Sequence, residues 1–530
     1  MRDEYEKQSV LIRTFEEVSH DELSAEYNLP DYLPDINRLL KISARVCESQ
    51  YDLSGDTVAY DGKMKCSVLY ATGDGSLKSA EFERDFAGNA AVSGTSGDCE
   101  ICFSAQIGSV SCRLQNPRKL TAKVKLALKT NVFSRTQTEP VITGKLSDED
   151  MLTVEAREYG IAGVVRTVAE EANTPVSEDI ALDAGLPAIE EIVSVEMDPC
   201  ILDIRAGENK VVYKGEIPTT ILYLAAKDED APVDSALRYV SFCEKIPIAG
   251  EITAPGVTER HIPFADVSVH TPEFRPQANA FGENRTAEID FDYGVHVELY
   301  SNEEATLTAD MYSTAYESAC DMSAVAYESV ICAKCFNFSS EGEAPLEDTD
   351  FKTIVTANAA ATVQGTEKQG NKLRFEGECG VCVVLTNGEG VYLTRNFAVP
   401  LRAQTEVPSF SDAFSVRIRP TVLSVTARVD GNTVHVNLET LISYLVFEKH
   451  TEARVERLSV FKEKPVSHVT AASLTLCYPA GADTLWDVAK KYSTTVSALM
   501  EANGVSAESV PPVLIIPRRT ADAKKGLRIL

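Results

Sequence analysis

Apolar and polar residues alternate in three similar segments of the chain, and each segment surrounds a glycine. The segments align on Gly62, Gly215 and Gly377, and they read VAYDGKMKCSVLY, VVYKGEIPTTILY and LRFEGECGVCVVL. An aromatic residue lies two positions before each glycine, and apolar residues lie two, six and eight positions after it. Even offsets share one face of a β-strand. The pattern predicts three equivalent half-buried strands, in which the glycine marks a bulge or a close backbone approach.

A second alternating segment follows each of these strands and begins at a turn. The turns contain Asn116-Pro117, Gly282-Glu283-Asn284 and Asp430-Gly431-Asn432. Turn residues beside alternating apolar residues are typical of β-hairpins. Successive glycines are separated by about one domain length. We therefore predict a mainly β protein with three tandem antiparallel domains, built as sandwiches or partial barrels.

The C-terminal part of the chain has a different pattern. Leu474–Tyr478 and Val513–Ile516 are short apolar runs with strand character. Between them, apolar residues recur at helical spacing from Leu485 and again from Val496, and Asn503-Gly504 ends the second helix as a left-handed cap requires. Two such short strands cannot bury a core alone, so both helices must pack on one face of the pair. This order predicts a small βααβ domain.

The apolar positions of this domain also predict its core. We expect Leu485, Val488, Leu499 and Ile515 to hold the fold. Trp486, the single tryptophan of the chain, is interpreted as a further core residue rather than a binding residue.

The same stretch resembles a LysM module. The residues that carry the resemblance are Gly481, Asp483-Thr484-Leu485-Trp486, Ala489, Tyr492, Leu499, Asn503 and Leu514-Ile515-Ile516-Pro517. LysM modules bind glycans that contain N-acetylglucosamine, in a groove between the first strand–helix loop and the second helix–strand loop. Both loops differ from the family pattern here, because Ala482 is inserted in the first and Pro511-Pro512-Val513 replaces Pro-Gly-Gln in the second. Proline removes an amide donor, and the missing glycine removes a close backbone approach.

We therefore expect the LysM fold to persist while its surface serves for docking a protein rather than a sugar. The candidate binding residues, for a partner or a glycan, are Gly481, Asp483, Thr484, Lys490, Lys491, Asn503 and Val505. Of these, five are expected to face solvent: Asp483, Lys490, Lys491, Asn503 and Val505.

A short motif precedes the first glycine and has weaker copies before the other two. It reads LPDYLPDINRLLKISARV from Leu29, and the copies read LPAIEEIVSVEM from Leu186 and DFKTIVTANAAATV from Asp350. Pro34 followed by Asp35 suits the first turn of a short helix. This Leu-Pro-Asp-Ile pattern, with the strand pairs after it, resembles the SPOCS domain of endospore-forming bacteria.

Tandem SPOCS domains followed by a LysM module resemble the SipL-like family of spore-morphogenesis proteins. The resemblance implies a scaffold of spore-coat assembly in the mother-cell cytoplasm, which binds the ATPase of the coat basement on the forespore surface. A cell-wall protein that binds peptidoglycan or another N-acetylglucosamine glycan is the alternative.

The expected domain ranges follow from these motifs. The three SPOCS-like β repeats span 1–140, 141–302 and 303–455, a linker spans 456–473, the LysM domain spans 474–519, and a basic tail spans 520–530.

Net charge narrows the possible partners. The formal charge of −29 argues against nucleic acid and against an anionic membrane surface. The N-terminus lacks an apolar stretch long enough for a signal peptide, and no apolar run is long enough to span a membrane. We therefore expect a cytoplasmic protein.

Chemistry-bearing residues form no catalytic pattern. The pairs Cys99/Cys102, Cys332/Cys335 and Cys379/Cys382 have the spacing of zinc ligands. However, residues three apart on a strand point to opposite faces, so Cys379 and Cys382 cannot easily chelate together. The thirteen cysteines are interpreted as structural, and the seven histidines are scattered. We expect no metal, no cofactor and no enzyme activity. An autolysin-like hydrolase is a third hypothesis, and we find no candidate catalytic residues for it.

Overall fold

The computed structural model describes residues 9–93, 99–227, 238–348, 350–387, 389–466, 474–507 and 509–517. Most of these residues lie in antiparallel strands. The prediction of a mainly β protein is confirmed. The expected basic tail lies outside the described residues.

The first repeat is a sandwich of two three-stranded sheets. Its strands are β1 (Ser9–Asn28), β2 (Arg38–Ser54), β3 (Thr57–Ala71), β4 (Leu77–Ala91), β5 (Cys99–Asn116) and β6 (Lys119–Gln137). One sheet has the order β1-β6-β5 and the other has the order β2-β3-β4. Met64 and Val68 of β3 meet Leu120 and Val124 of β6 in the core between the sheets. This packing buries one face of each sheet.

The second repeat follows a short connection and has the same topology. The connection contains β7 (Val141–Thr143) and α1 (Asp148–Met151), and the strands are β8 (Val154–Ala181), β9 (Ile189–Met197), β10 (Cys200–Gly207), β11 (Lys210–Ala225), β12 (Tyr239–Thr253), β13 (Ile262–Ala278) and β14 (Asn284–Ser313). One sheet has the order β13-β14-β8. In the other, β11 pairs with β12 on one edge and with β9 and β10 on its other edge. The second strand of the first repeat thus corresponds here to two shorter strands.

The third repeat has the topology of the first. Its strands are β15 (Tyr316–Pro345), β16 (Thr353–Gln369), β17 (Lys372–Thr386), β18 (Tyr392–Glu406), β19 (Phe414–Asp430) and β20 (Thr433–Pro465). The sheets have the orders β15-β20-β19 and β16-β17-β18. The three tandem sandwiches confirm the predicted fold class, and none of them closes into a barrel. The predicted hairpins are β5–β6, β13–β14 and β19–β20.

The three aligned glycines occupy the central strands β3, β11 and β17. The apolar residues at even offsets after them are buried, as the alternation predicts. Gly215 and Gly377 lie opposite register shifts in the neighbouring strand. A Cβ atom at Gly215 would overlap the carbonyl oxygen of Cys200, and one at Gly377 would overlap that of Thr362. A bulged neighbour that approaches this closely explains the glycine.

The Leu-Pro motif forms a turn and not the predicted short helix. The Tyr70 hydroxyl donates to the carbonyl oxygen of Pro34 at 3.2 Å, and in the second repeat the Tyr223 hydroxyl donates to that of Pro187 at 2.9 Å. Arg118 binds the carbonyl oxygens of residues 29, 30 and 33. These side-chain bonds satisfy backbone groups that a helix would have satisfied itself.

The three sheets that contain the aligned glycines pack against one another through their outer faces. Leu69, Leu222 and Val384, which share one offset from the three glycines, meet in a common buried cluster. Lys41 of the first repeat and Asn358 of the third both bind Glu196 of the second at this junction. The three repeats therefore share a buried apolar cluster and are not independent domains joined only by linkers.

The other sheet of each repeat takes part in a second, ionic junction. The Glu298 side chain is 2% exposed and accepts hydrogen bonds from Arg166 of its own repeat and from Arg417 of the third repeat. The Cys102 thiol of the first repeat donates to the same carboxylate at 3.1 Å. Nearby, Arg13 of the first repeat pairs with Glu328 of the third. Charged groups this deeply buried require such partners.

Long strands carry the second and third repeats beyond their sandwiches. β8 pairs with β14 along its whole length to Ser313, and β15 pairs with β20 to Pro465. The expected linker is therefore strand up to Pro465, and its residues Leu458 and Val460 are buried. The expected domain ranges stay a prediction, since β14 continues past residue 302 and β20 past residue 455.

The C-terminal module contains β21 (Thr475–Cys477), α2 (Leu485–Lys491), α3 (Val496–Asn503) and β22 (Leu514–Ile516). The two strands are antiparallel. This is the predicted βααβ order.

Candidate functional site

Both helices of the C-terminal module are capped by their own sequence. Thr484 is the N-cap of α2, and its hydroxyl accepts from the amide of Asp487, whose carboxylate accepts in return from the Thr484 amide. The Thr484 hydroxyl also donates to the Asp487 carboxylate at 2.6 Å, and this bond, together with the one from the Thr484 amide, holds the pKa of the Asp487 carboxyl below its ordinary value. Thr495 caps α3, which ends at Gly504 in the left-handed conformation. Thr484 therefore ends the first loop of the candidate site, and Gly504 begins the second.

The core of the module differs from the expectation at one position. Leu485, Val488 and Leu499 are buried as predicted, but Ile515 is 40% exposed and Leu514 is fully buried in its place. Leu514 packs with the helices in one cluster. Because side chains alternate along a strand, assigning Ile515 to the core placed β22 one residue out of register.

Helix α2 lies against strand β14 of the second repeat. The indole N–H of Trp486 donates to Asp310 Oδ2 at 2.9 Å. The ammonium of Lys490 lies 2.7 Å from Oδ1 and 2.8 Å from Oδ2 of the same carboxylate. Burial raises the pKa of Asp310, but the hydrogen bonds from Lys490 and Trp486 outweigh it and hold that pKa below its ordinary value. One carboxylate thus serves two donors of the module.

Aromatic contacts surround this carboxylate. The Tyr312 ring meets the Trp486 ring edge-on at a centroid distance of 5.0 Å, and its hydroxyl donates to the carbonyl oxygen of Thr494 at 2.7 Å. The Arg157 guanidinium of β8 lies 5.7 Å from the centroid of the Trp486 ring. Trp486 is buried, as predicted, but it does more than fill a core, because it also joins the module to the second repeat.

The predicted site residues fall into separate structural roles. Gly481, Asp483 and Thr484 lie in the first loop, where Asp483 accepts from the amide of Ala480 at 2.9 Å. Gly481, Thr484 and Lys491 are exposed and Asp483 is half-buried. The Lys491 ammonium lies 5.7 Å from the centroid of the Tyr492 ring. The first loop is therefore accessible at several of its predicted positions.

Three other predicted residues are engaged within the protein. Lys490 pairs with Asp310, as described above. The Asn503 side chain donates to the carbonyl oxygens of Leu499 and Ile515 and accepts from the Ile515 amide, so it ties α3 to β22. Val505 is half-buried against the module core. The expectation that Asp483, Asn503 and Val505 face solvent is corrected accordingly, since all three are half-buried, and the binding role of all seven residues stays a prediction.

Sequence reasoning missed the apolar outer face of the module's two-stranded sheet. Leu476 and Ile515 are paired across the strands and are 43% and 40% exposed. Tyr478 in the first loop is 72% exposed, and Val510 and Val513 in the second loop are also exposed. The alternation of Leu474, Leu476 and Tyr478 with Thr475 and Cys477 was the available signal. Exposed apolar groups of this kind are typical of interaction surfaces.

The cysteine pair at 379 and 382 is split between the two faces of β17. Cys379 is buried in the core of the third sandwich, whereas Cys382 points to the junction near Lys41 and Glu196. Burial raises the pKa of both thiols. Across the described residues, no three His, Cys, Asp or Glu side chains are grouped so that they could hold a metal ion.

A serine and a histidine come together in the third repeat. The Ser329 hydroxyl is 2.9 Å from Nε2 of His450, and Glu448 approaches the same nitrogen at 3.8 Å. A catalytic triad needs the acid on the other ring nitrogen. This arrangement therefore lacks the geometry of a nucleophilic site.

Comparison with known families identifies the domains. The family described as "SipL, SPOCS domain" matches residues 35–115 and 188–274, and the LysM domain family matches residues 482–514. The chain carries SPOCS domains and a C-terminal LysM domain. The SPOCS matches cover strands of the first two sandwiches, and the third sandwich shares their topology. No curated protein matches the chain.

These families establish the broad character of the chain. SPOCS and LysM domains are non-catalytic binding modules, and they fit a sporulation protein with a peptidoglycan-binding module. In the part of the chain that the structure describes, no helix combines the length and apolar character needed to cross a bilayer.

Proposed function

We propose that the chain is a non-enzymatic scaffold of spore-coat assembly that docks partner proteins on the forespore surface. The SPOCS sandwiches form the body of the scaffold, and the LysM domain contributes a docking surface. The proposed location is the mother-cell cytoplasm, and the proposed partner is the ATPase of the coat basement. The resemblance of the whole domain arrangement to spore-morphogenesis proteins supports this partner.

The observation that carries the proposal is the exposed apolar surface of the LysM domain. Tyr478, Leu476 and Ile515 present apolar groups beside a second loop that contains Pro511 and Pro512. Sugar recognition depends on precisely placed polar groups and close backbone approach, and these prolines supply no amide donors. Apolar anchors surrounded by polar residues are what protein docking uses.

The interlocked sandwiches also favour a scaffold. The apolar junction around Leu222 and the ionic junction around Glu298 each join residues of all three repeats. An assembly platform benefits from such fixed geometry, because partners then bind at defined positions.

Binding of peptidoglycan or another N-acetylglucosamine glycan is the second candidate function. The LysM match over residues 482–514 favours it. Both loops that form the family's glycan groove contain exposed residues here, among them Gly481 and Val510.

One experiment separates these functions. The full chain is sedimented with purified peptidoglycan and, separately, immobilised to capture the purified coat-basement ATPase. The proposal predicts capture of the ATPase and little sedimentation with peptidoglycan. Replacing Tyr478 by serine should weaken capture of the ATPase. The same replacement at Val141 is the control and should not weaken it, because Val141 lies on β7 and is 57% exposed. Sedimentation with peptidoglycan without capture of the ATPase would support the glycan candidate instead.

A further inference from the structure

The contact between the LysM domain and β14 has the chemistry of a bound ligand. Asp310 and Tyr312 are two residues apart on β14, so both side chains lie on one face of the strand. Together they meet the donors of Trp486 and Lys490 and the carbonyl oxygen of Thr494. We call these three residues of the LysM domain the α2 face. The α2 face thus receives an extended segment with a carboxylate two residues before an aromatic hydroxyl.

The α2 face needs such a ligand when β14 is absent. Trp486 is 8% exposed and Thr494 is 4% exposed in the docked state. Release would expose the indole ring and its N–H together with an unpaired ammonium. A surface that combines an aromatic ring, a single donor and a nearby cation favours an acidic, aromatic partner.

A short connection joins the LysM domain to the third repeat. Only residues 466–474 separate the end of β20 from β21. A short connection keeps the two surfaces at a high effective concentration, on the order of millimolar, so a weak contact is sufficient for docking. A separate partner must displace Asp310 and Tyr312 against this advantage.

We propose that Asp310 and Tyr312 are an internal ligand of the α2 face, which binds an extended acidic–aromatic segment of a partner protein once they are displaced. The proposal rests on the proposed docking function of the LysM domain and specifies the chemistry of its partner. The α2 face is separate from the two loops of the family's glycan groove, because it consists of one side of α2 and the residue before the α3 cap.

The single tryptophan makes the docked state directly measurable. Full-length protein is prepared as wild type and with Asp310→Asn plus Tyr312→Ala, which removes the internal ligand. The variant should show Trp486 emission at longer wavelength and increased quenching by acrylamide. Lys490→Glu should change the emission in the same direction from the other side of the contact. Lys491→Glu is the matched control and should leave the emission unchanged, since the exposed Lys491 has its ammonium over the Tyr492 ring.

The ligand is then supplied from outside. The probe is a synthetic peptide with the sequence of residues 307–314, LTADMYST, and the control peptide carries asparagine and phenylalanine in place of its aspartate and tyrosine. The probe should shift the emission of the double variant back toward that of wild type, whereas the control peptide should not. Wild type should not respond at the same concentrations.

Three results would overturn the proposal. They are wild-type shielding of Trp486 in both the double variant and the Lys490→Glu variant, no response of the double variant to the probe, and an equal response to the control peptide. Unchanged circular dichroism shows that the sandwiches remain folded in each variant. Capture of the coat-basement ATPase by wild type tests the proposed function separately, so failure of the internal ligand is distinguishable from failure of the scaffold.

Discussion

Gly377 shows how a single residue position depends on its neighbour across the sheet. The strand opposite it shifts register between Val363 and Gly365, which brings the Thr362 carbonyl onto the glycine. The sequence alignment predicted a bulge or a close approach at this position. Which strand would bulge could not be predicted, because the bulge lies in the weakly patterned segment from Asp350.

Replacing Gly377 by alanine should destabilise the third sandwich by about 1–3 kcal/mol, because the added methyl group overlaps backbone that cannot rotate away. Thermal unfolding followed by circular dichroism measures this loss. Gly365→Ala is the matched control, since its Cβ would have nothing within 4 Å, and it should be nearly neutral. Equal effects of the two substitutions would contradict this explanation.

The structure explains why the Leu-Pro motif occurs together with a tyrosine of the central strand. Tyr70 and Tyr223 each hold the carbonyl oxygen of a motif proline. The third repeat has Leu385 at the equivalent offset and no proline in its copy of the motif. The tyrosine and the proline were both visible in the sequence, but only their spatial contact explains why they occur together.

At the scale of elements, the LysM module was predicted best. Its two helices, their caps and the strand order follow from local spacing, which is why they could be read from fewer than fifty residues. The register of β22 could not, because Leu514, Ile515 and Ile516 are all apolar. Alternation carries no information in such a run.

The corrected register has a direct test. Leu514→Ala should destabilise the module by about 2–5 kcal/mol, the usual effect of truncating a buried leucine. Ile515→Ala should have a much smaller effect on stability because Ile515 is 40% exposed. Unfolding of the module is followed through Trp486 fluorescence. A larger loss for Ile515→Ala than for Leu514→Ala would restore the original register.

Docking of the LysM domain should depend on pH through Asp310. Its pKa is lower in the docked state than its ordinary value of 3.8, so the stabilisation is fully present above the ordinary value and is lost as pH falls through the lowered one. The measurement is Trp486 quenching against pH in wild type and Asp310→Asn. The difference between them should be constant from neutral pH down to about pH 5 and shrink below about pH 4.

Asp487 of α2 defines the control for this titration. Its pKa is also lowered by its bonds with Thr484, and because Asp487 is present in both wild type and Asp310→Asn, we expect its titration to cancel from the difference. A difference that grew on acidification would contradict the role given to Asp310.

At the scale of the whole molecule, the three β domains could be predicted from the sequence, but the packing of the three against one another could not. The alignment of Gly62, Gly215 and Gly377 predicted three sandwiches or partial barrels from apolar periodicity. Residues at odd offsets, such as Leu69 and Leu222, are also apolar and form the junction between repeats. Glu298 resembles any other acidic residue in a chain with a formal charge of −29, so the sequence offered no sign of its burial.

The ionic junction should contribute strongly to the stability of the assembled repeats. Glu298→Gln leaves Arg166 and Arg417 without a charged partner in a buried site, and a loss of about 3–5 kcal/mol is expected. Glu288→Gln is the control, because its partner Arg275 is largely exposed, and it should change the unfolding midpoint little. Denaturant unfolding measures both, and a neutral Glu298→Gln would show that the apolar junction alone joins the repeats.

Calorimetric titration of the full chain with the purified coat-basement ATPase, and in parallel with chitin oligomers, tests the central claim most directly. The scaffold proposal predicts saturable binding of the ATPase and no saturable binding of the oligomers. Removing the internal ligand with Asp310→Asn plus Tyr312→Ala should leave the oligomer result unchanged. Tight, saturable binding of chitin oligomers with no detectable binding of the ATPase would contradict the account.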